Sequence, residues 1–373
     1  MRVLFISNMA APYQVKFCYE LNKYFETEFW FYKHIESSRP NWWKISLGDK
    51  CKVLKNSFFL PLLNYNSFGI LNAISKYDPD IVLLGGFFFP SHFLIKRWAK
   101  KNDKVIIIAN ERIEYENLSP IKRIFKKLYY TVIFKFFQDI DAFFALGSDV
   151  TAQHINVFGY KSLKYISYDV RYAQDIDTNL VLTKELDQEC TRILFPNRLI
   201  KKYNPLFVLA VFKELCRKHD NLVMHMNAEG DLRDGCEKIL VEYNLEEKVF
   251  FIDSIKDWND LPALYSNSDV SIFACTDSNG PNTLIESMAA GMGVVMCNTI
   301  LNTHEYAIDS LNCFKVEYEI DAFVNAIEKY ISKPDLIVQH GLISKKLVYQ
   351  RSIEGTAIFY KEILEKIYNE RTN

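Results

Sequence analysis

The chain has 373 residues, 49% hydrophobic and 24% charged, a composition that excludes a disordered protein and exceeds what one ordinary core holds. Its net charge of −1 conceals an asymmetry: residues 1–180 carry 24 Lys and Arg against 17 Asp and Glu, the remainder 21 against 29. Two domains are expected, a basic one and an acidic one with different partners. The longest apolar runs, such as residues 81–90, fall short of the roughly 20 residues a spanning helix requires. The opening residues are too short an apolar run for a signal peptide and read as a strand, so a cytoplasmic location is expected. Eight scattered cysteines, with no Cys-x-x-Cys pair, exclude a disulfide framework and a zinc site, and read as thiols in a reducing compartment.

In chain order, residues 3–7 read as a strand, 15–25 as a helix and 28–32 as a second strand. Residues 80–84 (DIVLL) and 105–109 (VIIIA) are unbroken β-branched runs, the pattern of strands buried on both faces of a parallel sheet. Helices are predicted over 91–101 and 119–138, and another strand over 141–146. After a polar, poorly periodic linker at 172–190 the alternation restarts. Strands are predicted over 192–195, 222–226, 249–252, 270–273 and 293–296, and helices over 204–219, 231–244, 259–266 and 282–291. An amphipathic helix over 353–368 closes the chain. This is the order of an α/β protein with two Rossmann-like domains, and a cleft between them is expected. The boundaries fall at 1–180, 181–350 and 351–373, the last being a helix packed on the body.

Such sheets bind ligands beyond the carboxyl ends of their strands. The first strand leads into Asn8-Met-Ala-Ala-Pro-Tyr13 without a glycine, which argues against a nicotinamide or flavin dehydrogenase. In Asp277-Ser-Asn-Gly-Pro-Asn-Thr-Leu-Ile-Glu286 a strand runs through a Gly-Pro turn into a helix opening near Asn282. Unpaired N–H groups at that helix start can hold an anion without a metal. Glu286, one turn on, can accept both hydroxyls of a ribose; a solvated surface Glu is the plain alternative.

The stretch PNTLIESMAAGMGVV (281–295) resembles the signature of glycosyltransferase family 4, retaining enzymes of GT-B fold. The resemblance extends to Asn8–Tyr24, to Tyr77–Leu84, to Leu194-Phe-Pro-Asn-Arg-Leu-Ile200 with Asn204-Pro205, to Asn227–Arg233 and to Leu261–Val270. It implies that Glu286 holds the ribose, that Arg198 neutralises the donor diphosphate, and that Gly280, Pro281, Asn282 and Thr283 cradle phosphate or sugar. Two departures stand out. The family's lysine falls on Tyr203, with Lys201 and Lys202 beside it. Its first motif Glu falls on Ser278, with Asp277 and Asn279 adjacent. Lys202 and Asp277 are the expected substitutes.

The remaining candidates lie in the first half. Glu111, after the strand at 105–109, is an expected acceptor-side catalytic residue, and Gly85, Gly86 and Tyr13 are expected to meet the acceptor. Asp78-Pro79-Asp80 mimics a metal-binding Asp-x-Asp but reads as a turn, so no metal is expected. His92, His154 and His225 are isolated and receive no role. The segment 120–137 carries Lys122, Arg123, Lys126, Lys127 and Lys135 among Ile, Phe, Leu and Tyr without an acid, the composition of a membrane-interface helix. No nucleic-acid module is recognisable. The expected activity is a metal-independent hexosyltransferase reaction from a nucleoside-diphosphate sugar, a substrate rather than a cofactor, to a glycan. Domain closure is expected to exclude water. The acceptor is expected to be lipid-linked, in surface polysaccharide or lipopolysaccharide synthesis at the inner face of the cell membrane. A non-catalytic partner subunit and an epimerase or hydrolase of similar architecture are the alternatives; the latter would consume donor without acceptor.

Overall fold

The computed structural model describes residues 1–35, 39, 41–60, 64–115, 118–147, 149–158, 166–170, 175–176, 186, 189–253, 255–276, 278 and 280–372. The chain divides into two compact units, Met1–Ala173 with Ile353–Asn373, and Gln174–Ser352. The borders read from sequence, 180/181 and 350/351, differ from these by a few residues, and the last helix counts with the first unit. Most of the expected linker at 172–190 lies outside the described residues.

The first unit runs β1 (Arg2–Met9), α1 (Pro12–Leu21), β2 (Glu26–Lys33), β3 (Cys51–Val53), β4 (Ser57–Leu60), β5 (Asn64–Ser67), α2 (Ile70–Tyr77), β6 (Ile81–Gly85), α3 (Ser91–Lys101), β7 (Val105–Glu111), α4 (Pro120–Phe136), β8 (Ala142–Leu146), α5 (Asp149–Asn156) and β9 (Ile166–Val170). The second runs β10 (Thr191–Phe195), α6 (Pro205–Cys216), β11 (Leu222–Asn227), α7 (Arg233–Tyr243), β12 (Val249–Ile252), α8 (Leu261–Ser266), β13 (Val270–Phe273), α9 (Asn282–Ala289), β14 (Gly293–Cys297), β15 (Phe314–Val316), α10 (Ile320–Ser332) and α11 (Asp335–Val348). α12 (Ile353–Thr372) returns to the first unit.

Each unit holds one parallel sheet. The orders are β3-β2-β1-β6-β7-β8-β9 and β12-β11-β10-β13-β14-β15. In both, the chain builds outward from the first strand and then crosses it to build the other way. Both are doubly wound Rossmann-like sheets, and the strands part at β1/β6 and at β10/β13. The apolar runs suit strands covered on both faces. Leu4, Ile6, Val82, Leu84, Ile106 and Ile108 enter a core with α2, α3 and α4, while Val3, Ile81, Leu83, Val105 and Ile107 enter another with α1 and α12. Tyr360 of α12 meets Phe17 at 5.1 Å and Phe144 at 5.4 Å, edge to face.

The β10/β13 junction is clamped at its amino end. Asp269, 2% exposed, accepts from the Arg192 backbone N–H at 2.8 Å and from its guanidinium at 3.0 and 2.9 Å. Its own N–H donates to Arg192 O at 2.8 Å, and its carbonyl accepts from Gly293 at 2.9 Å. One residue therefore sets the register Ile193↔Val270 and ties β14 to the same line. Removing one partner of a buried, hydrogen-bonded pair strands the other, at a cost of about 3–5 kcal/mol. Asp269→Ala should lower unfolding stability by about 3 kcal/mol in denaturant titration; a loss within about 0.5 kcal/mol, the range of an ordinary surface change, would refute the clamp.

Candidate functional site

The carboxyl ends of β10 and β13 diverge in the second unit, and the chain there is shaped by local constraints. After β10, the loop holding Arg198 is pressed onto the segment after β11. Leu199 N–H donates to Glu229 O at 2.6 Å, and Leu232 N–H donates to Leu199 O at 2.8 Å. Gly230 (φ +143°) permits this approach, since a Cβ there would lie 2.2 Å from Leu199 O. Arg198 is half-buried in that loop. Beyond it Lys201–Tyr203 form one 3₁₀ turn, and Asn204 (φ 52°) donates from Nδ2 to Ala274 O at 2.7 Å, joining the loop to the end of β13. Lys202 lies close enough for its charge to act on Cys275, just past β13. Burial nevertheless pushes that thiol up to about 12. Lys201 and Lys202 are both exposed, and Tyr203 packs on the core. Of the two lysines, Lys202 is the one drawn toward the strand ends.

After β13, Gly280 takes φ +77°, where a Cβ would press on the Tyr306 hydroxyl at 2.9 Å. Pro281 then occupies the N-cap of α9, and no side chain caps the helix. The first turn, with Asn282 and Thr283, follows directly on the segment after β13. Ser278 is buried; its carbonyl holds Leu301 N–H at 2.9 Å and its hydroxyl bonds the Cys275 thiol. No carboxylate stands at that position. Asp277 and Asn279 lie outside the described residues.

Three features escaped the sequence reading. Asn197, 3% exposed, accepts from the Thr283 hydroxyl at 2.7 Å through Oδ1, while its Nδ2 has no partner. A buried amide donor without a partner is costly, and this one lies beside a helix start that no side chain caps. The Tyr265 hydroxyl donates to Glu286 Oε2 at 2.5 Å. Asp175 accepts from the Trp258 indole at 2.6 Å, and its charge reaches Glu286. Asn197 and Tyr265 lay inside motifs already quoted without being singled out; Asp175 carried no local signal.

The first-unit candidates share their sheet's carboxyl edge. Tyr13 is in the first turn of α1, Gly85 ends β6, Gly86 follows with φ +95°, and Glu111 ends β7, exposed. His92, fully buried, contacts Gly86 O at 2.8 Å through Nδ1 and stacks on Phe88 at 4.6 Å; burial lowers its pKa to about 4. The neutral ring donates to that carbonyl. Asp78 and Asp80 lie at the other end of the sheet, where Asp78 ends α2 in a left-handed turn and pairs with Lys104 at 2.8 Å, while Asp80 accepts from Arg2 N–H. That is the turn expected from Asp-Pro-Asp.

A family model described as Glycosyl transferases group 1 matches residues 183–346. The match lies within the second unit of the chain. An uncharacterized glycosyltransferase, MJ1059 of Methanocaldococcus jannaschii, is 22% identical over 310 residues, 77% of this chain and 73% of that protein. Among solved structures, Anabaena HepE in complex with UDP has a TM-score of 0.71 at 13% identity, covering 98% of this chain and 100% of that one. The apo form of the lipopolysaccharide outer core galactosyltransferase WaaB has a TM-score of 0.67 at 14% identity, covering 98% and 100%. These likenesses establish the fold as GT-B.

Burial raises the Glu286 carboxyl to about 7; the Tyr265 bond opposes the rise and the Asp175 charge adds to it. A folded pKa above the ordinary 4.5 means that folding favours the neutral acid. Stability from this group is fully present below about 4.5 and is lost as pH rises through about 7. Glu286→Gln is neutral throughout and still accepts from Tyr265. Its melting temperature relative to the unmutated protein should therefore climb between these two values and level off above them. A difference that stays flat with pH would show the carboxylate to be solvated.

Proposed function

We propose that the protein is a retaining, metal-independent hexosyltransferase that moves a sugar from a nucleoside-diphosphate sugar to a glycan. The observation that carries the reading is the convergence of Arg198, Lys202, the Asn197 amide and the uncapped start of α9 at one strand junction. In the reaction the bond from sugar C1 to the diphosphate oxygen breaks, and the acceptor oxygen bonds to C1 on the same face. The acceptor proton passes to the departing diphosphate. Charge grows on that diphosphate, and fixed donors aimed there lower the barrier most. Arg198 and Lys202 supply cations, Gly280, Pro281, Asn282 and Thr283 line the phosphate and sugar, and Glu286 accepts the ribose hydroxyls. Lys201 and Tyr203 take no direct part in this scheme. The UDP held by HepE makes uridine nucleotides the first donors to try.

On the first unit, Tyr13, Gly85, Gly86 and Glu111 would meet the acceptor, with Glu111 orienting its hydroxyl. We take the acceptor to be a lipid-linked glycan in surface polysaccharide or lipopolysaccharide synthesis, and the enzyme to be peripheral on the inner face of the cell membrane; the similarity to WaaB supports the class of product. A non-catalytic partner subunit is the second reading, favoured by the uncharged Ser278 and the core-packed Tyr203.

The test is transfer from a panel of nucleotide sugars, with donor hydrolysis followed separately. Arg198→Ala should reduce kcat by about 10²–10³, the effect of deleting one donor to a developing oxyanion. Lys202→Ala should act in the same direction, because its charge reaches Cys275 just past β13, and Lys201→Ala should leave the rate within about threefold. Asn197→Asp keeps the bond to Thr283 but turns the free donor into an acceptor, and should weaken nucleoside-diphosphate binding roughly tenfold or more. Full activity in Arg198→Ala would overturn the reading. Tight nucleotide binding without turnover under any acceptor would favour the partner subunit.

A further inference from the structure

α4 is built the wrong way round for a helix that covers a sheet. Its residues 121–125, 127 and 128 are all exposed, and only Ile133 and Phe134 of the helix are buried. Ile121, Ile124 and Phe125 are each 68% exposed, Leu128 60% and Val132 44%. At roughly 100° per residue these five fall within about 100° of arc on the side opposite Ile133 and Phe134. Lys122 and Lys127 flank this arc, each about 110° from its centre, Lys135 falls within it, and Arg123 and Lys126 lie on the opposite side. An ordinary surface helix hides its apolar stripe and shows its charges. Here the stripe faces outward, and two of the cations are drawn back to backbone carbonyls, Lys126 to Glu114 O and Arg123 to Leu118 O at 3.0 Å. At the stripe's margin Phe136, 39% exposed, packs 5.3 Å from Phe93 and 5.4 Å from Phe89, so the apolar surface reaches α3.

We propose that this face of α4 docks into an anionic lipid bilayer, with Ile121, Ile124, Phe125, Leu128 and Val132 entering the interface. The inference deepens the peripheral-membrane part of the proposed function and is independent of the transfer chemistry. Charge selects the occupant. α4 carries five basic residues and no acid. A second copy of the chain meeting the stripe about a two-fold axis would set Lys122, Lys127 and Lys135, beside and within it, against their equals. A bilayer with acidic headgroups takes the apolar stripe into its acyl boundary and leaves the flanking cations at headgroup level. Among the described residues no helix is long and apolar enough to cross a membrane, so the attachment is to one leaflet.

The experiment is sedimentation with vesicles of phosphatidylcholine alone and of phosphatidylcholine mixed equally with phosphatidylglycerol. The protein should bind the mixed vesicles at least roughly tenfold better, with the gain falling as salt shortens the screening length from about 10 Å at 0.1 M to about 3 Å at 1 M. The triple change Ile124→Ser, Phe125→Ser and Leu128→Ser should reduce binding to mixed vesicles by roughly tenfold or more, since each removed side chain forfeits its apolar transfer. These side chains are exposed, so melting temperature and transfer to a water-soluble acceptor should stay as in the parent. Lys122→Glu with Lys127→Glu should remove the preference for the anionic vesicles. Mixed-vesicle binding unchanged in the triple variant, or absent in the parent, overturns the proposal while leaving the transferase reading standing. So does a parent dimer in sedimentation velocity that the triple variant dissociates, which would assign the stripe to a second copy. Inactivity of parent and variants on every nucleotide sugar, with vesicle binding intact, counts against the transferase reading alone.

Discussion

The second unit depends on one strand pairing, β10 against β13, fixed at one end and open at the other. At the amino end Asp269 holds Arg192 through its backbone and its guanidinium together. At the carboxyl end the chain leaves β10 toward α6 and leaves β13 toward α9, so the two connections diverge and their backbone groups lose sheet partners. A parallel sheet must cross over its first strand to be covered on both faces, and that crossing makes an opening wherever it occurs. The segments with Arg198, Lys202, Asn197 and the start of α9 follow these two strands, where polar backbone leaves the ladder. Geometry that the fold imposes for reasons of burial thus supplies the site.

How much of this was legible follows from the same physics. Strands buried on both faces favour unbroken apolar, β-branched runs, so 80–84 and 105–109 stood out, and the structure puts strands there at Ile81–Gly85 and Val105–Glu111. Short edge pieces lacked that signal. β3 (CKV) and β15 (FKV) are three residues each and are strands because a neighbour pairs with them. The β4–β5 hairpin is likewise made by partners rather than by composition. α10 is different: Phe323, Val324, Ile327 and Tyr330 recur at helical spacing and are buried, so the signal was present and went unread.

The site divides along a similar line. Glu286 and the turn before α9 were readable because a helix start needs a particular local sequence. Asn197 was not, since its character lies in an absence, an Nδ2 without a partner, that only packing reveals. Tyr203 shows the reverse case. In sequence it stands where a cation belongs, yet its ring is better served by the core, and Lys202 is nearer the strand ends.

α4, Asn197 and Glu286 have something in common. Each is a choice that stability alone would not make: apolar side chains turned to water, an amide donor buried without an acceptor, a carboxyl desolvated until its pKa reaches about 7. Elsewhere local and global preferences agree. The strands are β-branched, α1 and α6 start with proline in the first turn, and Asn204 and Asn244 sit where left-handed backbone is needed. A chain consistent at so many positions is not poorly adapted at three of them by neglect. In the proposals made above, an outside group removes the cost at each: a lipid surface at α4, an anionic oxygen at Asn197, a pair of hydroxyls at Glu286. The exceptions therefore specify the missing partners more sharply than the regular fold around them does.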